Sequence, residues 1–568
     1  MRVTMFVSLV ALSAFASPLL AAQPAQAPDP ATSKAVELAP QINATDFARF
    51  DKTLSSDAFG GRKPGTVGAR RTTDFLVAEF RRMGLQPGNH GSFFQTVPAD
   101  GTLLLNTGVA LNIATHGKHA SFAYRTDMMA QTLQAKAQVD LKNSPIVFLG
   151  YGVDAPNWHW NDYRGVDVKG KTVIVLVNDP GFATSDPKLF NGRAMTYYGR
   201  WTYKYAEAAL QGAAACFIVH TSDAAAGYPF SVLQNSGSGP QLSLPPSVDP
   251  APRLPVAGWL THSAATRLFA DAGLDFDALA ASAAKPGFKP VPLQATASIS
   301  LHNKISHFES RNVLAMAPGS DKPDEVVVYT AHWDHLGTDP SLKGHKVYGG
   351  AIDNGTGLSM LLELADAFAH QRTPPERSVL FFMPTLEESG LLGSQYYAAR
   401  PVFPLRKTVA DIAVDALPII GRAHDMTVIG KGQSQLEDML ADVLKTQGRV
   451  ISPEATPENG FYFRSDHFNF ARAGVPAMLA SSGLDLLDGG KAAGKKAADD
   501  YTAHRYHTPN DVFNPDWDYS GILEDTQALY DLGEYLSHAG VWPQWYADSP
   551  FRAKREKMMA PPVKPAAK

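Results

Sequence analysis

The chain has one cysteine in 568 residues, Cys216, so it holds no internal disulfide. That cysteine lies in the apolar run LQGAAACFIVH with no activating base beside it, which marks a core residue rather than a nucleophile. Beyond the first 27 residues no apolar run approaches the roughly 20 residues needed to cross a bilayer. A basic stripe is also missing: 51 Lys and Arg stand against 55 Asp and Glu, for a net charge of -4. Nucleic-acid binding, which relies on clustered Lys and Arg, is thereby excluded. The chain has no internal repeat, no G-x-S-x-G elbow of a serine hydrolase and no H-E-x-x-H helix of the zincins.

What is present is a globular balance, 45% hydrophobic and 19% charged. The length calls for more than one domain, or one domain with a large insert. Residues 1–27 have Arg2, an apolar core broken by Ser and Pro, and a small-residue end at Ala25-Gln26-Ala27. This is the pattern of a cleavable signal peptide, so the chain is expected to be exported, to a periplasm or out of the cell. No Cys follows the apolar core, which excludes a lipoprotein anchor. Residues 28–40 read as a linker.

Helical spacing of Phe75, Leu76, Phe80 and Met83 predicts a helix that stops at Gly84. From about 100 to 140 the pattern is short and strand-like. SPIVFLGYGV and GKTVIVLVNDPG read as strands, and YKYAEAALQGAAACFIVHT as a helix followed by a strand. After residue 300, apolar runs of strand length (NVLAMAPG, EVVVYTAHWDH, SVLFFMPTLEE, TVADIAVDAL, VPAMLASS) alternate with helical segments such as 354–371. The expected fold is α/β: a mostly parallel, mixed sheet flanked by helices on both faces. The basic, Pro-containing end, 546–568, is expected to fray.

In such a sheet, sites form beyond the carboxyl ends of the strands. Those ends carry His332 and Asp334 in TAHWDHLG, Glu387 and Glu388 in TLEESGLLGS, and Asp415 in DIAVDA. Asp353 precedes a helix in GAIDNGTG, and His507 lies in YHTPND. Crowded carboxylates cost free energy unless cations neutralise them, and two divalent ions would do so. A catalytic zinc takes three protein ligands and keeps a position for water. Five ligands serve two ions if one carboxylate bridges. Imidazole and carboxylate suit zinc, with cobalt or manganese as occupants of the same set. Asp334, two residues after His332 in an extended segment, is placed to accept a hydrogen bond from the second ring nitrogen of His332. Of the adjacent pair Glu387 and Glu388, one can bind metal while the other moves a proton.

These motifs, in this order, resemble the di-zinc exopeptidase family of secreted bacterial leucyl aminopeptidases and glutamate carboxypeptidase, over about 300–515. SSDAFGGRKPGTVGARRTTDFLVAEFRRMGLQPG resembles that family's N-terminal helix region. The resemblance implies two zinc ions: Asp353 bridges them, His332 and Asp415 complete one site, and Glu388 and His507 complete the other. It implies that Glu387 is the general base and then acid, that Tyr506 helps hold the oxyanion, and that Arg464, in FRSDHFNFARAGVPA, contacts substrate. NDYRGVDVKGKTVIVLVNDPG through AALQGAAACFIVHT resembles a protease-associated domain. The implied division is a signal peptide (1–27), a discontinuous catalytic domain (40–135 and 300–545), a protease-associated insert (136–299) and a basic tail (546–568).

The implied activity is removal of N-terminal residues from peptides by attack of a metal-bridging hydroxide. A carboxypeptidase or dipeptidase on the same frame is the near alternative, and it requires a cationic clamp for the substrate carboxylate. A catalytically dead receptor relative would have lost ligands, and this chain keeps them. Glutaminyl cyclase uses one zinc and a smaller chain. The segment departs from the family's usual form at Asn354-Gly355-Thr356-Gly357 and at Ala416-Leu417-Pro418.

Overall fold

The computed structural model describes residues 36–105, 108–237, 239–538 and 540–561. The signal-peptide segment and most of the expected linker lie outside them. Among the described residues no helix is long and apolar enough to cross a membrane.

The centre of the first sheet is strand Lys322–Thr330. It runs parallel to Arg377–Met383 on one side and to Thr408–Val414 on the other. Thr408–Val414 pairs in parallel with Ala477–Ser482, which continues antiparallel to Asp425–Ile429. On the other flank, Arg377–Met383 meets the end of a 27-residue strand, Val291–Ala317, in antiparallel register, and that strand pairs with Phe94–Leu104. The sheet is therefore parallel at its centre and antiparallel at its flanks.

Both faces are covered, which explains why the central strands read as unbroken apolar runs. Val327, Tyr329, Val379 and Phe381 face the helices Ala44–Leu54, Val67–Met83, Gly357–His370 and Ser520–His538. Their chain neighbours Val326, Val328, Leu380 and Phe382 face Tyr397, Phe468 and Phe470 on the other side. Alternation along each strand sends successive side chains to opposite layers. The helix Val67–Met83 ends at Gly84, whose φ of 86° is the left-handed cap that glycine adopts without strain.

A second sheet occupies the segment between the two halves of the first. It comprises Ala110–Thr115, Lys118–Ala123, Met128–Gln131, Gln138–Phe148, Thr172–Leu176, Ala215–His220, Val256–Thr261 and the first half of Val291–Ala317. The long strand thus runs from one sheet into the other. The expected break at 136 falls inside this layer, because Ala110–Thr115 pairs with residues 295–298 and Met128–Gln131 with 257–260. Short alternating strands do not say which sheet they join; only the pairing decides it. Cys216 is fully buried in an interior strand of this sheet, Ala215–His220, and burial holds its thiol well above the ordinary value.

The expected frayed tail is also corrected in its first part. Arg552–Met559 is a helix, and Arg555 is buried, donating from Nη1 to the Leu405 carbonyl at 3.1 Å and from Nη2 to the Thr408 carbonyl at 3.0 Å. A basic residue reads as solvent-facing in sequence; here its charge satisfies carbonyls at the start of a central strand.

Candidate metal centre

The parallel strands end on one edge of the sheet, and the motif residues collect there. His332 lies two residues beyond Thr330, Asp415 directly follows Val414, and Glu387 and Glu388 stand in the turn after Met383. Asp353 is carried by the turn Ala351–Thr356 that opens the helix Gly357–His370, and His507 by a turn after the helix Gly490–His504. His507 has a φ of 55° and Ala416 one of 48°, left-handed backbone that non-glycine residues adopt only where surroundings dictate it.

The carboxylate of Asp353 divides its oxygens. Oδ1 lies 3.4 Å from His332 Nε2, which is 3.2 Å from Asp415 Oδ1. Oδ2 lies 3.0 Å from His507 Nε2, which is 3.2 Å from Glu388 Oε2. Donors around a tetrahedral ion with bonds of about 2.0–2.1 Å sit about 3.3 Å apart. Two such cages sharing Asp353 fit these spacings.

Several hydrogen bonds fix the Asp353 turn. Asp511 accepts from the Asp353 amide at 3.0 Å and from the Ile352 amide at 3.1 Å. Asn354 ties the turn to the Asp415 loop, donating to the Val414 carbonyl at 3.3 Å and accepting from the Ala416 amide at 3.3 Å. Gly357 makes room for it, since a Cβ there would fall 2.1 Å from Asn354 Oδ1. The Asn-Gly-Thr-Gly step thus carries a structural duty of its own. Beneath it, the fully buried Arg62 donates to the carbonyls of Leu54, Trp333, Gly349, Gly350 and Asp353.

Asp334 does not act as the sequence suggested. The second ring nitrogen of His332, Nδ1, sits 3.1 Å from the Asp334 main-chain carbonyl, while the Asp334 carboxylate is 4.0 Å away. That carboxylate instead accepts from the Glu387 amide at 3.1 Å. The strand ends at Thr330, so the extended two-residue repeat does not reach Asp334; between the two, the Trp333 indole is buried and donates to the Arg311 carbonyl. The tautomer is still fixed, by a backbone oxygen, and Asp334 holds the turn that presents the two glutamates.

Glu387 and Glu388 are driven apart electrostatically. Burial pushes the Glu387 carboxyl well above the usual range, with Asp415 and Glu388 adding repulsion and His332 opposing. Burial would raise Glu388 too, but His507 and His335 hold it down at about 2. Burial alone would lower His332; the carboxylates of Asp415 and Glu387 keep it well above the ordinary imidazole value.

The residue that sequence reasoning passed over is His335. It is buried, with Nδ1 at 2.6 Å from Glu388 Oε1, and Nε2 is buried without a hydrogen-bond partner among the described residues. Its donor atom lies within 4.8 Å of those of Asp353 and Glu388, as those of His332, Asp353 and Asp415 do of one another. The signal was present as the second histidine of AHWDH. Asp466, which accepts from Ser394 Oγ, is likewise close enough to feel His332 and Asp415.

Tyr506 lies flat on the His507 imidazole, ring centroids 3.9 Å apart. Burial pushes its phenol up to about 12. Arg464 stacks on Phe461 at 5.0 Å and is close enough to act on the Tyr506 phenol, but makes no contact with the carboxylate cluster.

Imidazoles and carboxylates thus gather at the carboxyl edge of the α/β sheet, with Asp353 shared between two groups able to hold a metal ion. Residues 312–530 match the model of Peptidase family M28. Aminopeptidase NAALADL1 of Mus musculus is 31% identical over 141 residues, 23% of this chain and 17% of the relative. A probable zinc metalloprotease of Pyrenophora tritici-repentis is 34% identical over 149 residues, 25% of this chain and 30% of the relative. The chain therefore spans less than a third of the length of these relatives. Among solved structures, an aminopeptidase from Aneurinibacillus sp. strain AM-1 aligns over 89% of this chain and 96% of its own, at 17% identity and a TM-score of 0.48. A zinc aminopeptidase from Bacillus subtilis aligns over 88% and 96%, at 17% identity and a TM-score of 0.40.

Proposed function

We propose that the protein is an exported, zinc-dependent aminopeptidase that removes N-terminal residues from peptides and works with two ions. The observation that carries this reading is the division of Asp353, one oxygen to His332 and Asp415 and the other to His507 and Glu388. When bound, zinc supplies a water acidified to near neutrality and a Lewis acid for the scissile carbonyl. Glu387, beside a ligand yet outside both sets, takes the proton of the attacking water and hands it to the leaving amine. Its raised affinity for a proton suits the second half of that task. Tyr506 stabilises the developing oxyanion. Export rests on the leader pattern of residues 1–27, and the second sheet is read as a protease-associated domain that shapes access.

One observation favours the alternative of a carboxypeptidase or dipeptidase. Arg200 is buried, and its Nε has no hydrogen-bond partner among the described residues. Its neighbouring charge is Arg464, which together with burial brings the Arg200 guanidinium down to about 10. Two guanidiniums near each other without a carboxylate suit a substrate carboxylate. The second sheet's segment reaches the Arg464 region at this point, the Met195 amide donating to the Pro457 carbonyl at 3.1 Å.

The test is a panel of aminoacyl-nitroanilides and short peptides, assayed with and without chelator and with either end blocked. An aminopeptidase loses activity on N-acetylation and keeps it on C-amidation. The reverse result establishes the carboxypeptidase, and loss with both blocks the dipeptidase. Undiminished cleavage after complete removal of metal sinks all three.

A further inference from the structure

We infer that His335 is a positioning residue for one of the two metal sites: it grips the outer oxygen of Glu388 and so aims the inner oxygen at the ion. The inference rests on the two-ion reading given above and goes beyond it, because neither the five-ligand set nor the general base includes this histidine.

Glu388 has two oxygens and two different neighbours. Oε2 is 3.2 Å from His507 Nε2, inside the set completed by Asp353 Oδ2. Oε1 is 2.6 Å from His335 Nδ1, a short contact of the length expected when one partner is charged. A carboxylate held this way offers a single oxygen to an ion. Without the imidazole it could rotate, or turn both oxygens inward and crowd Asp353 and Glu387.

The ring itself has little freedom. His335 is buried on the metal side of the loop, with its centroid 5.8 Å from that of His507 in an edge-on arrangement. On another side it presses on Gly350, where a Cβ would lie 2.6 Å from His335 Cδ2. Gly350 has a φ of 60°, so both its backbone and the absence of a side chain serve this packing. The bond to Glu388 requires the proton on Nδ1. Nε2 is then the bare nitrogen, and it faces no donor among the described residues. A histidine retained purely for packing has no need to leave a buried polar atom unpaired, which costs free energy. An outer residue that orients a ligand changes metal affinity by 10–100-fold on removal.

The test compares wild type, H335N and H335L by zinc titration calorimetry and by chelator competition. Asparagine places its amide nitrogen where Nδ1 stood and keeps the donor; leucine fills the space without one. We expect wild type to bind two ions, H335L to bind one of them about 10–100-fold more weakly with the other unchanged, and H335N to recover most of the loss. Equal binding of both ions by wild type and H335L overturns the inference while leaving the two-ion reading intact. Equal weakening in H335N and H335L also overturns it, since it assigns the effect to packing. Wild-type protein that never holds a second ion removes the two-ion reading itself. Independently of whether a variant folds, ¹⁵N-histidine NMR of the metal-loaded wild type should show His335 protonated at Nδ1. Protonation at Nε2 instead overturns the proposal.

Discussion

Arg62 donates from Nη2 to the main-chain carbonyl of Asp353 at 3.1 Å, from a guanidinium that solvent does not reach. A cation therefore sits behind the turn that presents the shared carboxylate. Its field reaches Asp353, Asp51 and Asp511, and its donors satisfy five main-chain carbonyls.

Replacing Arg62 by Met removes those bonds and the cationic field it exerts on Asp353 and Asp51. We expect R62M to lose about 3–5 kcal/mol of stability, the range for breaking a buried charged network. Zinc affinity should fall with it. Urea unfolding of the metal-loaded protein measures the first and chelator competition the second; a midpoint within error of wild type contradicts the assignment.

Glu387→Gln keeps size and removes the proton carrier. Turnover on the preferred nitroanilide should drop about 10²–10⁴-fold, the usual worth of a positioned general base. The zinc content should stay at the wild-type value. Loss of metal together with activity would mean that Glu387 is a ligand.

The metal-free protein should be less stable at pH 8 than at pH 5. Burial raises the Asp334 and Asp466 carboxyls to about 7. A raised folded-state value means a contribution present below the unfolded value, near 3.8, and lost as pH climbs through 7. His332, also raised, acts in the same sense: its contribution holds below about 6.5 and fades above its folded value. Glu388 acts oppositely, its contribution being present above 4.5 and lost as pH falls toward 2. Denaturant midpoints from pH 4 to 9 should be highest at the acidic end, near pH 4–5, without metal, fall as pH rises, and flatten when zinc is added.

If the carboxypeptidase or dipeptidase reading holds, Arg200→Gln should raise KM about 10–100-fold for peptides with a free C-terminus, matching the loss of a charge-assisted hydrogen bond of about 1.5–3 kcal/mol. The unfolding midpoint should stay at the wild-type value. An unchanged KM, or a KM change matched by a fall in the midpoint, would assign Arg200 a purely structural role.

Ending the chain at Pro550 removes Phe551, 6% exposed among Trp545 and Tyr462, and the Arg555 bonds to Leu405 and Thr408. A loss of about 3–5 kcal/mol is expected, comparable to deleting a buried phenylalanine. Calorimetric unfolding of the shortened chain checks it.

Sequence alone determined the α/β class, the helix that stops at Gly84, the strands around the centre and the residue types at their ends. These are local matters of periodicity, turn chemistry and the rule that sites form at strand carboxyl ends. Tertiary structure decided the rest. The strands Ala110–Thr115 and Met128–Gln131 joined the second sheet through partners more than a hundred residues away. Beyond the strand end at Thr330, the Asp334 carboxylate meets the Glu387 amide rather than the His332 ring. Folding also put His335 on Glu388 and Arg62 beneath Asp353, contacts bridging 53 and 291 positions. The spacing of residues along a chain fixes what each can offer. Only the packed backbone fixes which atom a charge or imidazole faces, because electrostatic and hydrogen-bond energies depend on separation in space.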